Sequence, residues 1–229
     1  MSEVREYCSG PPRENHSGVD RLATDHEVLL EAQGLAARPG PRQRIDRKIA
    51  AVVAEAIKAP RVLEIVYQSR ADDEARPRRV APYGLLTGLR RYLVGKPADD
   101  TGGVPRLYVF ENIRSAEVTA VSFEKDPSFN LQDFAERAFG VFQNADEFGD
   151  VVWKFSPAAA ERARSFEFHP NQTMTDEADG SLIVRFTAAG HLEMAWHVYM
   201  WGDQIEVLAP ERLRRMVAPF RRSDFPSLP

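Results

Sequence analysis

The segment from Arg76 to Lys96 holds Arg76, Arg78, Arg79, Arg90, Arg91 and Lys96 and not one Asp or Glu, although the 229-residue chain carries a formal net charge of −4. Positive charge gathered this way in an acidic chain builds a local anion site, because a merely solvated surface mixes its signs. Tyr67, Tyr83 and Tyr92 are interleaved with these arginines, and Ser69 adds a short donor. Guanidinium groups are planar, multidentate donors suited to phosphate, while phenol rings offer stacking faces and a hydroxyl. The chemistry is that of binding: an anion held by charge at one end and a planar base stacked at the other. A phosphate-bearing ligand fits better than bulk DNA, since residues 126 to 229 hold ten basic against sixteen acidic residues and repel a polyanion. The alternative reading makes Tyr67 and Tyr92 core aromatics and leaves the arginines on a solvated strand face.

Catalysis finds no comparable support. There is no Gly-x-Ser-x-Gly elbow, phosphate loop or dinucleotide fingerprint. Cys8 is the only cysteine, which excludes an intrachain disulfide and a multi-cysteine metal site and fits a reducing compartment. His191 and His197 stand six apart, off any common helical face, and His26-Glu27 is followed by Leu30 where a zinc-protease helix needs its second histidine. Neither an enzyme nor a metal or other cofactor is expected. The pairs Asp72-Asp73 and Asp99-Asp100 read as loop-tip solubility features. The polar amino terminus, and the lack of any run near the roughly 20 apolar residues of a span, point to the cytoplasm and away from a membrane.

The elements that must position the arginines and tyrosines follow from periodicity. Glycines and prolines break residues 1–44, which read as a flexible arm. Ile45, Ile49, Val52, Val53, Ala56 and Ile57 then form one helical stripe ended by Pro60. Short strands follow at 62–68, 79–86, 91–95, 106–110 and 116–123, with Leu63, Ile65 and Tyr67 sharing a face. Five strands in so short a stretch suit a small, partly closed barrel. A connecting segment, 126–150, carries a helix capped by Asn130 with Leu131, Phe134, Ala135 and Ala138 on one face. From Val151 the order is strand, helix opened by Ser156-Pro157, strand, strand, helix stopped by Gly202, strand, helix, a βαββαβ arrangement. Trp153, Trp196 and Trp201 read as core residues of this second unit. Arg212, Arg214, Arg215, Arg221 and Arg222 spread around the last helix rather than forming one binding face.

Taken in order, these residues resemble the bacterial WYL-domain transcriptional regulators with their C-terminal WCX extension. The resemblance rests on Leu63-x-Ile65-x-Tyr67, on Arg79-Val80-x-Pro82-x-Gly84-Leu85, and on Arg91-Tyr92-Leu93 in place of Trp-Tyr-Leu. Tyr108-x-x-Glu111-Asn112-Ile113 and Trp201-Gly202 with Glu206-Val207-Leu208-Ala209-Pro210 extend it, so that it covers roughly residues 45 to 220. It implies an α+β chain: an SH3-like or Sm-like WYL barrel with its leading helix (45–125), the connecting segment, a ferredoxin-like WCX domain (151–222) and a tail (223–229). It implies a cytoplasmic ligand sensor that binds a nucleotide or short nucleic acid and modulates transcription, as a homodimer or paired with a helix-turn-helix regulator. Alternatively, the chain is an interaction module that pairs with a complete regulator and binds no ligand. The implied ligand site is Tyr67, Ser69, Arg79, Tyr83, Arg91, Tyr92, Asn112 and Arg114. Asn112 stands where the family places an arginine, and strand alternation would put Arg114 on the same face to compensate. Residues 1–44 are too few for the family's winged helix-turn-helix, which needs roughly 60 or more.

Overall fold

The computed structural model describes residues 45–69, 72–88, 90–100 and 103–219; the expected arm (1–44) and tail (223–229) lie outside the described residues. Helix α1, Arg47–Lys58, starts at Asp46, whose carboxylate accepts from Lys48 N at 2.8 Å and Ile49 N at 3.2 Å. That cap satisfies two of the free N–H groups of the first turn. Ile49, Ala50, Val53 and Ala56 form the buried stripe.

Five strands follow: β1 Arg61–Tyr67, β2 Arg76–Thr87, β3 Arg91–Pro97, β4 Arg106–Val109 and β5 Ile113–Ser122, the last two joined by a 3₁₀ turn at Phe110–Asn112. They form an antiparallel sheet in the order β4-β3-β2-β1-β5. Its two faces bury different cores. Leu63, Ile65, Tyr67, Val80, Leu93, Tyr108, Phe110 and Ile113 pack with α1, whereas Ala81, Tyr83 and Val94 pack with Phe123, Phe129, Leu131 and Phe134 on the other side. An irregularity in the β2–β3 pairing between Pro82 and Gly84 falls inside this long strand, where a proline cannot donate to the ladder.

The connecting segment is fastened to both units. Its short helix α2, Leu131–Ala135, is capped by Asn130 as expected, with Oδ1 accepting from Gln132 N at 2.8 Å. Leu131 lies so close to the first sheet that a Cβ on Gly84 would come within 2.5 Å of its Cδ2, so a larger residue there would have to push the leucine side chain aside. Further on, Phe139 packs edge-on to Trp153, and Phe142 lies between Tyr92 of the first unit and Trp196 of the second, 6.4 and 6.3 Å between ring centroids.

The second unit contains β6 Gly149–Phe155, α3 Pro157–Arg164, β7 Thr173–Asp176, β8 Leu182–Ala188, α4 His191–Met200, β9 Ile205–Ala209 and α5 Glu211–Val217. Its antiparallel sheet runs β7-β8-β6-β9. Val151, Trp153, Phe155, Leu182, Val184, Phe186 and Val207 face the helices, and Ala159, Ala163, Met194, Val198, Trp201 and Leu213 answer from them. Trp153 and Trp201 are core residues as expected. Trp196 is not: it is 46% exposed, with Leu192 at 46%, Tyr199 at 43% and Met200 at 37%. The cause is that α4 carries two apolar stripes, and the sheet takes the one through Met194, Val198 and Trp201.

The N-terminus of α4 anchors the connecting segment through carboxylates. Glu193 Oε2 accepts from Val141 N at 2.7 Å and Phe142 N at 2.8 Å, and Glu147 Oε2 accepts from His191 N at 2.9 Å. Glu193→Ala strips two part-buried N–H groups of their acceptor and is expected to cost about 2 kcal/mol, measured by urea unfolding, with Glu193→Gln losing less. No described helix is long and apolar enough to cross a membrane. The chain is α+β with two antiparallel sheets.

Candidate anionic-ligand site

Strand pairing decides which arginines can face one another. Ile65 is opposite Arg78 and Leu63 opposite Val80, so Arg78 shares the inner face with Leu63, Ile65 and Tyr67, and Arg79, opposite Glu64, projects to the other side. At the end of β1 the inner face turns polar. The Tyr67 hydroxyl accepts from Val109 N at 3.1 Å, its ring meets Tyr108 edge-on at 5.4 Å, and the Arg78 guanidinium lies 5.4 Å from the ring centre. Arg78 donates through Nη2 to Asp72 Oδ2 at 2.7 Å, and the same oxygen accepts from Ser69 Oγ at 2.8 Å and Ser69 N at 3.3 Å.

Arg114 reaches this end by a bulge: β5 pairs Ser115 with Val66 and Ile113 with Tyr67, leaving Arg114 as the extra residue. Its Nη2 donates to Gln68 Oε1 at 3.1 Å, and the Asn112 carbonyl accepts from Gln68 N at 3.2 Å. Asn112 belongs to the 3₁₀ turn, so the two residues meet at Gln68 through a turn and a bulge, not through strand alternation. Tyr67, Ser69, Asn112 and Arg114 are thus brought to one end of the sheet. Gln68, Asp72, Arg78 and Tyr108 join them although none is among the expected site residues; Arg78 figures only as part of the basic segment, and its place two residues before the inward Val80 is a signal for it.

Two titratable groups at this end are shifted by their surroundings. The Ser69 hydrogen bonds, joined by Arg78, hold the Asp72 carboxyl below its ordinary range. Burial pushes the Tyr108 phenol up against the opposing pull of Arg106 and Arg78, so it stays a neutral donor. Among the described residues, Arg78 Nε is buried and has no partner.

The other expected site residues lie elsewhere. Arg79 pairs with Asp99 at 3.0 Å on the outer face. Tyr83 is buried against Phe129, 4.8 Å between centroids, and its hydroxyl accepts from Asp126 N at 3.2 Å. Tyr92 is buried beside Phe142, and Arg91, opposite Thr87, sits at the far end of β2 from Arg76. The expected single concavity for all eight residues is therefore not formed; Tyr67, Tyr83 and Tyr92 are core aromatics on two different faces. Nor is the basic cluster unopposed. Asp72, Asp99, Asp100 and Asp126 pair with Arg78, Arg79, Arg106 and Lys96, so the loop-tip carboxylates are counterions.

Two hollows occur away from this group. One of about 490 Å³ lies against Leu192, Trp196, Tyr199, Ile205 and Met216, and one of about 500 Å³ against Val104, Phe129, Phe134, Arg137 and Phe148. Both are mainly apolar, whereas an anion requires polar donors; Ser69 and Arg78 meet on Asp72 Oδ2, and Arg114 bonds the adjacent Gln68. The last-helix arginines are engaged too: Arg212 with Glu147 at 3.2 Å, and Arg214 and Arg215 with Glu211. Arg221 and Arg222 lie outside the described residues. His197 holds no ligand position either, since its Nε2 accepts from Trp201 Nε1 at 3.0 Å.

Comparison with known proteins places these units. The sequence matches the WYL domain over residues 48–118 and the WCX domain over 147–219. No curated protein matches. Among solved structures, proteasome accessory factor B/C (PafBC) of Arthrobacter aurescens is 19% identical, covering 80% of this chain and 28% of its own, with a TM-score of 0.39. A CRISPR Cas-related protein is 13% identical, covering 76% of this chain and 49% of its own, with a TM-score of 0.49. The chain thus spans less than half the length of either structure. With both domains present in order and together taking up more than half of its residues, the chain belongs to the WYL-domain proteins that carry a WCX extension.

Proposed function

We propose that this is a ligand-sensing regulatory protein of the WYL transcriptional-regulator type, which binds a nucleotide or oligonucleotide-like anion and so modulates transcription. The observation that carries the reading is that Ser69, just past the end of β1, and Arg78 of β2 meet on Asp72 beside the Tyr67–Tyr108 ring pair, with Arg114 of β5 bonded to the adjacent Gln68. Charged donors and aromatic edges at one place suit a phosphate joined to a planar base. The ligand site of this reading is Tyr67, Ser69, Asn112 and Arg114 with Gln68, Arg78 and Tyr108. Arg79, Tyr83, Arg91 and Tyr92 lie outside it. We read residues 45–125 as an SH3-like or Sm-like barrel and 151–222 as a ferredoxin-like domain, the latter supported by a strand order that is 4-1-3-2 counted within the unit. The protein acts in the cytoplasm as a homodimer or with a helix-turn-helix partner, without catalysis.

Equilibrium titration with labelled oligonucleotides and cyclic dinucleotides tests the reading. Saturable binding that Arg78→Ala weakens about tenfold or more supports it, and equal behaviour of variant and parent removes it.

A second reading, a protein-interaction module that pairs with a complete WYL regulator, is favoured by one observation. Of the exposed stripe Leu192, Trp196, Tyr199 and Met200, the first three line the apolar hollow of about 490 Å³ in the second unit, and contiguous exposed apolar surface marks association sites. Co-purification of such a regulator, with no nucleotide bound, would favour this reading over the first.

A further inference from the structure

Resting on the ligand reading above, we propose that Asp72 is a built-in competitor for the anion position, so that a ligand phosphate must displace its carboxylate before Ser69 and Arg78 can hold it. The carboxylate is placed as a bound anion would be. One oxygen, Oδ2, collects the Ser69 hydroxyl at 2.8 Å, the Ser69 amide at 3.3 Å and Arg78 Nη2 at 2.7 Å. These donors come from two different strand ends, so the contact is more than a local turn. Only 17% of the Asp72 side chain is exposed, although the neighbouring residues Asp73 and Glu74 face solvent.

The fit is incomplete, and the shortfall identifies the displacing group. Arg78 uses one N–H on Asp72 while its Nε stays buried without an acceptor. A guanidinium presents Nε and Nη as a fork that matches two oxygens of one anion. A carboxylate tied to the same loop supplies one oxygen; a terminal phosphate, with three, supplies an acceptor for Nε as well. The chain thus fills its own site with a weaker anion than the one it is built for. Such a competitor raises the ligand concentration at which the site responds, by the factor that the open form is rarer than the closed one.

The test compares equilibrium binding of a 5′-phosphorylated, fluorescein-labelled oligothymidylate by the parent chain, Asp72→Ala, Asp73→Ala and Arg78→Ala. Asp73→Ala is the charge control, since it removes one negative charge from the same loop while the Asp73 contact to Gln68 Nε2 is made by the backbone carbonyl, which the substitution keeps. The competitor account expects Asp72→Ala to bind about five- to twentyfold more tightly, and Asp73→Ala to match the parent. If Asp72 merely orders the loop, its removal weakens binding, which overturns the proposal. Equal gains in Asp72→Ala and Asp73→Ala also overturn it, because general charge then explains both. When Asp72→Ala is unchanged and Arg78→Ala loses binding, the competitor fails and the ligand site stands. When Arg78→Ala behaves as the parent does, the site itself fails and takes the competitor with it.

Discussion

Arg78→Ala is expected to weaken binding of a phosphorylated oligonucleotide about ten- to a hundredfold, whereas Arg79→Ala, one residue away, changes it less than about threefold. Hydrogen bonds to charged groups contribute about 1.5–3 kcal/mol each, which is the origin of the first range. The contrast between neighbours is the informative part. Arg78 faces inward opposite Ile65 and donates toward Ser69's partner Asp72, while Arg79 faces outward opposite Glu64 and is paired with Asp99. A binding surface made of diffuse positive charge would respond equally to both substitutions. Fluorescence anisotropy of the labelled ligand at a fixed salt concentration measures the two constants, and salt must be fixed because screening alters every phosphate contact.

The second large effect is on stability in mild acid. The second unit is expected to lose about 3 kcal/mol of unfolding free energy between pH 6.5 and pH 4 on account of His197. Burial pushes this imidazole from its ordinary 6.5 down to about 4. It stacks on Trp153, 5.9 Å between centroids, and lies edge-on to Phe139 and Phe168. Its Nε2 must also stay unprotonated to accept from Trp201 Nε1. Since the folded-state value lies below the unfolded one, the unfolded chain takes up the proton first as pH falls. The His197 contribution is therefore present above pH 6.5, declines below it, and is mostly lost by about pH 4, each pH unit corresponding to about 1.4 kcal/mol. His191, whose value burial also lowers, adds in the same direction. All three tryptophans of the chain, Trp153, Trp196 and Trp201, belong to this unit, so urea unfolding followed by tryptophan fluorescence reports on it directly. His197→Gln flattens the profile between pH 6.5 and 4. A parent profile with no decline in that window contradicts the assignment.

Much of the scaffold was legible because its signals are local. The alternation Leu63, Ile65, Tyr67, the stripe from Ile49 to Ala56, the Asn130 cap, and the punctuation at Ser156-Pro157 and Gly202 each act within one element, and each element formed within a few residues of its expected span. The site was half legible because it depends on what faces what. Choosing Arg79 over Arg78 requires the register of β1 against β2, and a period of two makes a slip of one residue exchange the faces completely. Arg114 arrives by a bulge, which pattern reading does not foresee. The counterions Asp99 and Asp126 stand 20 and 30 residues along the chain from their partners Arg79 and Lys96, so a segment of one sign in sequence became a set of pairs in space. Trp196 shows the same limit on a helix: spacing reveals an apolar stripe, but of two stripes on α4 the sheet selects only one.

The central claim is that the polar end of β1, where Ser69 and Arg78 meet on Asp72 and Arg114 bonds Gln68, is where an anionic ligand binds. The most direct measurement is a nuclear magnetic resonance titration of the ¹⁵N-labelled chain with a 5′-phosphorylated oligothymidylate. The account predicts saturable shifts at the amides of Gln68, Ser69, Asp72, Asn112 and Arg114 and at the Arg78 side chain, with Asp99 and Asp126 unmoved. Shifts confined to the Leu192–Met200 face, or none at all at saturating ligand, would contradict it.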